Sequence, residues 1–268
     1  MPARLLVAVL MALSIVPTAA VPVVAPDTGA VPLATAGHSA AQSPAAAAQM
    51  TPEQIISALR LRENSTGNIA DAVEAATGGR GWMSPDMKPI CARKIVGRAW
   101  TAALRPVLKH DVKAYPNHAL EILDQAPAGS VLVYVLEGNV EIAGMGNLMA
   151  LTAQVRGLEG TVIDGGIRDV AEVREIGHQV FARRISPATS VGRLVSVSKQ
   201  TPVKCAEIMV HPGDYIVGDT DGVVVVPQAA ADRVVALLKD YDARESKMMD
   251  IIKREKSMLK ALEIYGRY

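Results

Sequence analysis

The sequence predicts an α/β domain built as layers of sheet with helices on the outside, followed by a helical arm at the C-terminus. Ser130 to Leu136 is a nearly continuous apolar run, the pattern of a strand buried on both faces. From Leu148 to Ala182 helical and strand-like segments alternate. Between Val203 and Val226 short apolar runs are separated by tight turns, which points to layered sheets and away from a simple doubly wound fold.

Taken in order, the elements begin at Thr51. Thr51-Pro52-Glu53-Gln54 offers an N-cap hydroxyl, a proline at the first helical position and a capping-box glutamine. Ile55, Ile56, Leu59 and Leu61 then form an apolar stripe. A second helix is predicted over Asn68 to Ala76, with Ile69, Ala72 and Val73 inward and Gly78-Gly79 ending it. Ile90 to Ile95 and Gly97 to Ala103 read as strands, Asn117 to Gln125 as a helix and Ala126 to Gly129 as a turn. Val140 to Ile142 reads as a short strand and Leu148 to Val155 as a helix that starts near Asn147. Gly160 to Ile163 is a strand, Arg168 to Ile176 a helix and Gln179 to Ala182 a strand. Val203 to Val210, Tyr215 to Val217 and Gly222 to Val226 are further strands, joined by turns at His211-Pro212-Gly213-Asp214 and Asp219-Thr220-Asp221-Gly222. Ala229 to Ile264 reads as one long helix or two. Val234, Val235, Leu238 and Tyr241 give one apolar stripe; Met248, Met249, Ile252, Met258, Leu259 and Leu262 give another. Such an arm packs on its own domain or on a neighbouring subunit.

Ahead of this domain, Arg4, the apolar stretch Leu5 to Val16 and the small residues Thr18-Ala19-Ala20 have the plan of a secretory signal peptide cleaved after Ala20; an uncleaved anchor is the alternative. Residues 21–50, rich in Ala, Pro, Ser and Gly, read as a flexible tether. The expected division is therefore signal peptide 1–20, tether 21–50, α/β domain 51–228 and helical extension 229–268, in an exported protein, periplasmic or secreted. No other segment is long and apolar enough to span a bilayer, so no stable membrane span is expected after signal removal.

With 50% hydrophobic and 21% charged residues and a formal net charge of +1, the 268-residue chain has the composition of a folded globular protein. It has no basic run to track phosphates, and only 3% aromatic residues to stack on bases, so nucleic acid is not expected as a partner. Cys91 and Cys205 lie in apolar runs and read as core thiols, although export makes a disulfide chemically possible. The histidines at 38, 110, 118, 178 and 211 are scattered without zinc-site spacing.

The chemistry is concentrated between Gly144 and Glu172. Gly144 and Gly146 precede a helix whose first turn presents backbone N–H groups and the positive end of its dipole, a ready site for an anion. The strand from Gly160 runs into Asp164-Gly165-Gly166, where missing side chains would let a loop approach a ligand, and Arg168-Asp169 open the next helix. Ends of strands in α/β proteins are common ligand sites. Gly-Met-Gly-Asn lacks the third glycine of a dinucleotide fingerprint, and no glycine-rich nucleotide loop follows an early strand, which argues against a methyltransferase. Read alone, the same glycines serve equally as turn and packing residues, and the Arg-Asp pair as a solvated surface pair.

Gly146-Asn147-Leu148, Val162-Ile163-Asp164-Gly165, Arg168-Asp169-x-x-Glu172, Val180-Phe181-Ala182-Arg183 and Ser186-Pro187 resemble the hallmark run of the 4-hydroxy-4-methyl-2-oxoglutarate aldolases, a family that also contains the regulator of ribonuclease activity A. The likeness continues through Val203-Lys204-Cys205, Val210-His211-Pro212-Gly213-Asp214 and Asp219-x-Asp221-Gly222-Val223, and back to Ile69-Ala70-Asp71 and Val96-Gly97-Arg98. It covers about Thr51 to Pro227. The resemblance implies a β/β/α layered fold of the swivelling phosphohistidine-domain type, assembled as a homotrimer or homohexamer. It also implies a lyase, of the class II pyruvate aldolase type, with oxaloacetate decarboxylation as a side or main activity on a small 2-oxo acid substrate. By position Asp169 would hold a divalent metal, Mg²⁺ or Mn²⁺, and Arg168 would grip a carboxylate or enolate oxygen. The Gly146, Asn147, Leu148 and Met149 backbone would cradle the same anion, and Glu172 would support the metal from behind. Active family members carry an acidic residue where this chain has Asn147, whose amide cannot take a proton near neutral pH. A non-catalytic binding or regulatory protein on the same fold is the alternative that Asn147 favours.

Overall fold

The computed structural model describes residues 49–266 apart from 62, 92, 110, 112–116, 139 and 140. The expected signal peptide, residues 21–48 of the tether, His38, His110 and Val140 lie outside the described residues. Helix α1 (Pro52–Arg60) opens with the capping box read from the sequence, Thr51 accepting from the Gln54 N–H and Gln54 from the Thr51 N–H. Ile55 and Leu59 are buried, but Leu61 is not part of the stripe: it is the C-cap, with extended backbone, and points to solvent. The Lys94 ammonium closes this helix end, donating to the carbonyls of Leu59, Leu61 and Asn64 at 2.7, 2.8 and 2.6 Å. Helix α2 (Thr66–Thr77) starts two residues before the predicted Asn68, because Ser65 accepts from the Asn68 N–H and Asp219 accepts from the Thr66 N–H and hydroxyl. It ends at Gly78 in the left-handed conformation.

The strands that follow are β1 (Lys88–Pro89), β2 (Ile95–Pro106), β3 (Val131–Leu136), β4 (Ala143–Met145), β5 (Gly160–Ile167), β6 (Val180–Ile185) and β7 (Leu194–Lys199), interleaved with helices α3 (His118–Gln125), α4 (Asn147–Val155) and α5 (Val170–Ile176). The elements depart from the sequence's expectation at four places. Ile90, Cys91 and Arg93 lie on bends instead of in a strand, and the Ile90 N–H donates to the Val180 carbonyl at the sheet edge before β2 begins at Ile95. Of the strand expected at 140–142, Glu141 and Ile142 form a turn and a bend, and the strand begins at Ala143. Strand β5 runs four residues past Ile163, so α5 starts at Val170 and not at Arg168. Strand β7 is absent from the sequence reading, although Leu194, Ser196 and Ser198 alternate with Val195 and Val197 as an edge strand should.

Further along, the run Val203–Val210 is a hairpin of β8 (Val203–Cys205) and β9 (Ile208–Val210), turned by Ala206 and Glu207 at φ 43° and 74°. β10 (Tyr215–Gly218) and β11 (Val223–Val226) follow, then α6 (Ala231–Glu255) and α7 (Met258–Tyr265), so the arm is two helices broken at a left-handed Lys256.

Among the described residues a nine-stranded sheet has the path β1-β6-β5-β3-β2-β10-β11, with β4 on β5 and β7 on β2. β2 is the hinge of the layers. It runs parallel to β3 from Ala99 to Leu104 and antiparallel to β10 from Ile95 to Arg98, and then takes β7 across a bulge at Ala103/Leu104. Every residue of β3 is buried, as its apolar run demands. One face of the parallel strands packs under α3, α4 and α5 through Tyr134, Leu136, Ile163 and Ile167. The opposite face, with Val133, Val162 and Phe181, meets Ile216, Val225 and the β8–β9 hairpin. A third layer of α1, α2 and the first half of α6 covers β10 and β11. The distal half of α6 and α7 make their own small core of Met248, Ile251 and Ala261. This is the mixed α/β, curled-sheet architecture with a helical arm that the sequence implies. No helix among the described residues is long and apolar enough to cross a membrane.

Cys91 and Cys205 are both free; Cys205 is buried, whereas Cys91 sits half-buried on a bend outside any strand. Burial pushes both thiols up. His178 is fully buried between α5 and β6, with Nε2 2.9 Å from the Thr161 hydroxyl and Nδ1 without a partner. Burial pushes its pKa down from 6.5 to about 4. The unfolded chain therefore binds a proton that the folded chain refuses, and stability is lost as pH falls from 6.5 through about 4. Urea melts of wild type and His178→Gln across that window should show a steeper acid loss in wild type, the difference reaching about 3 kcal/mol at its acid end. Parallel curves would mean that His178 accepts its proton in place.

Candidate functional site

The site forms where β4 joins the far half of β5. Parallel pairing sets Ala143 beside Gly166 and Met145 beside Ile167, with the Arg168 N–H donating to the Met145 carbonyl at 3.1 Å. The two strand ends therefore release their chains side by side, one into α4 and the other into α5. Gly146 caps α4 with extended backbone and has no side chain to satisfy the helix's first amides. The Asp169 carboxylate does so from the neighbouring turn: its Oδ2 accepts from the Asn147 N–H at 3.2 Å and lies 3.4 Å from Arg168 Nε.

Gly146 is required by this geometry. A Cβ there would sit 2.5 Å from Asp169 Oδ2 and 3.1 Å from Arg168 Nε. Asp169 itself adopts φ 55°, ψ 40°, a left-handed conformation that a non-glycine residue holds at a cost of about 1 kcal/mol or more. That strain turns its carboxylate back toward α4. Arg168 and Asp169 keep 42% and 31% of their side-chain surface, so a small anion or a hydrated cation reaches both.

The other sequence-predicted residues separate into groups. Asn147, Leu148 and Met149 form the first turn of α4 with Gly146 as its cap, as expected, but the Asn147 amide is engaged by Asp169 and Leu148 points to solvent. Glu172 lies in the first turn of α5, three residues after Asp169, and is exposed. Gly165 and Gly166 do not open space for a ligand. They lie inside β5, where a Cβ would strike the Leu136 side chain at 2.4 Å or the Ile142 carbonyl at 2.8 Å. Their absent side chains make room for the floor of the site, not for its contents.

The sequence reading gave no role to Asp164 and Arg183, which the fold brings together. Arg183 donates to Asp164 at 2.9 Å and to Asp86 at 2.8 Å, while Asp164 accepts from the Ala206 N–H at 2.6 Å. This network ties β5 and β6 to the strained β8–β9 turn. Only the opposite charges in adjacent strand segments could have hinted at it; Asp86 comes from a loop 97 residues away.

A divalent ion suits the site as a water-rich guest. Asp169 Oδ1 takes no bond among the described residues, and Mg²⁺ commonly binds through one or two carboxylates while keeping several waters. Among the described residues no three His, Cys, Asp or Glu side chains converge, so Asp169 would be its main protein ligand.

The fold is a layered α/β domain with an Arg-Asp pair set against a glycine-capped helix end. The family described as RraA-like, Aldolase/RraA, matches residues 66–225, and the chain belongs to it. It is 29% identical over 204 residues to a putative 4-hydroxy-4-methyl-2-oxoglutarate aldolase of Halalkalibacterium halodurans, covering 71% of this chain and 88% of that one. It is 31% identical over 172 residues to the protein DlpA of Legionella pneumophila, covering 64% of this chain but only 27% of DlpA. A crystal structure of an uncharacterized protein from Pseudomonas syringae pv. tomato superposes with a TM-score of 0.67 at 27% identity, over 78% of this chain and 96% of that one.

Gly146→Ala should push the Asp169 carboxylate off the Asn147 amide without unfolding the domain, because the clashing atoms end short side-chain levers and are not backbone. The Asn147 amide proton should move upfield in the NMR spectrum while the Tm changes by no more than about 4 °C. An unmoved amide resonance would contradict the close approach.

Proposed function

We propose that the protein is a divalent-metal-dependent carbon–carbon lyase. It cleaves 4-hydroxy-4-methyl-2-oxoglutarate-like 2-oxo acids, decarboxylates oxaloacetate, or does both. The supporting observation is the strained Asp169, whose carboxylate is held beside the Arg168 guanidinium at the end of α4 with one oxygen left to an outside ligand. Family membership and the aldolase name of the Halalkalibacterium relative support the same reaction class.

Asp169 would hold the ion, with Glu172 one turn behind it. When bound, Mg²⁺ or Mn²⁺ supplies Lewis-acid stabilisation for negative charge on the oxygens of a 2-oxo acid. Arg168 presents a planar fork that pairs with a carboxylate and neutralises the electrons left on the pyruvate fragment when its bond to C4 breaks. The open amides of the α4 first turn orient the same end of the substrate. Asn147 positions water or a hydroxyl through its amide but moves no proton. Protons therefore pass to and from solvent, and the reaction is slower than with an acidic residue there.

Asn147 also gives the second reading its footing: a binding or regulatory protein that keeps the pocket and not the turnover. Export follows from the signal-like residues 1–20. A homotrimer or homohexamer would cover Leu148, Leu151 and Val155, which lie along one side of α4 and are 75%, 47% and 74% exposed. In light scattering the domain should run as a trimer or its double, and Leu151→Glu should shift it toward monomer; a wild-type monomer would remove this part of the reading.

Pyruvate release from oxaloacetate by residues 51–268 should require added Mg²⁺ or Mn²⁺ and stop with a chelator. Asp169→Ala and Arg168→Ala should each lower it about 100-fold or more. Asn147→Asp should raise it. Release that ignores both metal and Asp169 would sink the lyase reading, and a folded protein that binds metal without release would favour the binding one.

A further inference from the structure

A cavity of about 440 Å³ lies between the end of α2, β9 and the end of β11, and none of its lining residues belongs to the Arg168-Asp169 turn. Met209 and His211 both line it. Strand alternation explains why they stand together: Val210 between them is fully buried, which sends the residues on either side of it to the outer face. Met209 is 49% exposed and the His211 side chain 59%. Residues two apart on a strand stand about 6.6 Å from each other. The unbranched Met arm and the imidazole arm close that gap around a single ion.

The backbone under both residues is held. β9 pairs with β8, with Lys204 opposite Met209 and Val203 opposite Val210. The turn that follows closes with the Asp214 N–H donating to the His211 carbonyl at 3.0 Å and the Gly213 N–H to the Ala99 carbonyl at 2.9 Å. Asp214 is buried, and its carboxylate accepts from the His211 N–H at 2.8 Å and the Gln228 N–H at 3.2 Å. The same carboxylate lies 3.5 Å from His211 Nδ1. A carboxylate on that side favours a proton on Nδ1 and leaves the Nε2 lone pair to an outside ion.

The charges nearby select the kind of ion. Arg80 and Glu207 line the same cavity with opposite signs. Glu207 is paired with Lys204 at 2.8 Å, and the Arg80 guanidinium lies 5.4 Å from the Trp82 ring centroid while its Nε donates to the Trp82 carbonyl. A hard dication that seeks several oxygen ligands would meet one carboxylate, already paired, and a guanidinium. A thioether and a neutral imidazole are soft donors without charge, the set that suits a soft monovalent ion. We propose that Met209 and His211 form a site for a soft monovalent cation of the Cu⁺ type, with Asp214 positioning the imidazole. This site is independent of the lyase reading.

The test uses the whole chain carrying Cys91→Ser, so that the half-buried thiol does not compete for copper; Cys205 is buried. With ascorbate keeping the metal reduced and a chromogenic chelator competing, Cu⁺ should bind at one per chain. Met209→Leu and His211→Gln, both at exposed positions, should melt with the parent chain and each weaken binding about tenfold or more. Asp214→Asn should weaken it as well, with the His211 ring nitrogens moving toward the other tautomer in the ¹⁵N spectrum. In protein labelled at its methionine methyls, the Met209 signal should shift with Cu⁺ and hold still with Zn²⁺ or Mg²⁺. Cu⁺ held as tightly by both single variants overturns the proposal, and so does an equal Met209 shift with Zn²⁺ or a Cu⁺ shift confined to other methionines. Inorganic phosphate moving the His211 signals while Cu⁺ leaves them in place also overturns it, and makes the cavity an anion site on Arg80.

Discussion

Everything at the candidate site depends on β4 occupying the lane beside the last residues of β5. β3 pairs with β5 only as far as Asp164, and β4 then takes the place that β3 has left, from Gly166 to Ile167. Two chain segments that leave neighbouring parallel strands at the same level must place their next residues side by side. Gly146 meets Arg168 and Asp169 for that reason, and the end of α4 is served by a carboxylate 22 residues away in sequence and not by its own cap. The Leu136 side chain, wedged below Gly144 and Gly165, sets the height of the two strands. A larger residue at either glycine would raise the turn above it and open the contact.

The same constraint explains where the molecule stores its strain. Asp169 is one of five described non-glycine residues at positive φ, and it is the one placed at a strand-to-helix turn with its carboxylate aimed at another helix. Ala206 and Glu207 are two of the others, and the Ala206 N–H is held by the Asp164 carboxylate within the Arg183 network. Both strained turns hang from β5, which is flanked by β3, β4 and β6 and buried along most of its length. A strand gripped on both edges can hold unfavourable conformations that an edge strand would release.

The elements with a strong local signal were legible in the sequence. The Thr51 capping box, the Ile69-Ala72-Val73 face and the unbroken apolar run of β3 each carry their own physical cause and appear as read. Elements defined by partners were not. The 206–207 turn exists because Asp164 is there to receive it, and β7, whose short alternation is a weak signal, is fixed by its pairing with β2. At the site, the residues were visible through motif order, but their relations were not. The glycines of β5 read as openings for a ligand and turn out to be clearance for Leu136 and Ile142, because packing across a sheet face does not register in local spacing.

This separation bears on how far a family likeness carries. The family match runs from Thr66 to Val225 and includes both the Arg168-Asp169 turn and the strands that place it. The walls around Leu104, Leu120 and Leu194 are the end of β2, the cap of α3 and the start of β7, elements whose strand or loop identity comes from tertiary partners. Motif order therefore reports which residues the site has, and tertiary pairing decides where they stand. Such walls can vary without disturbing the β4–β5 pairing on which the site stands.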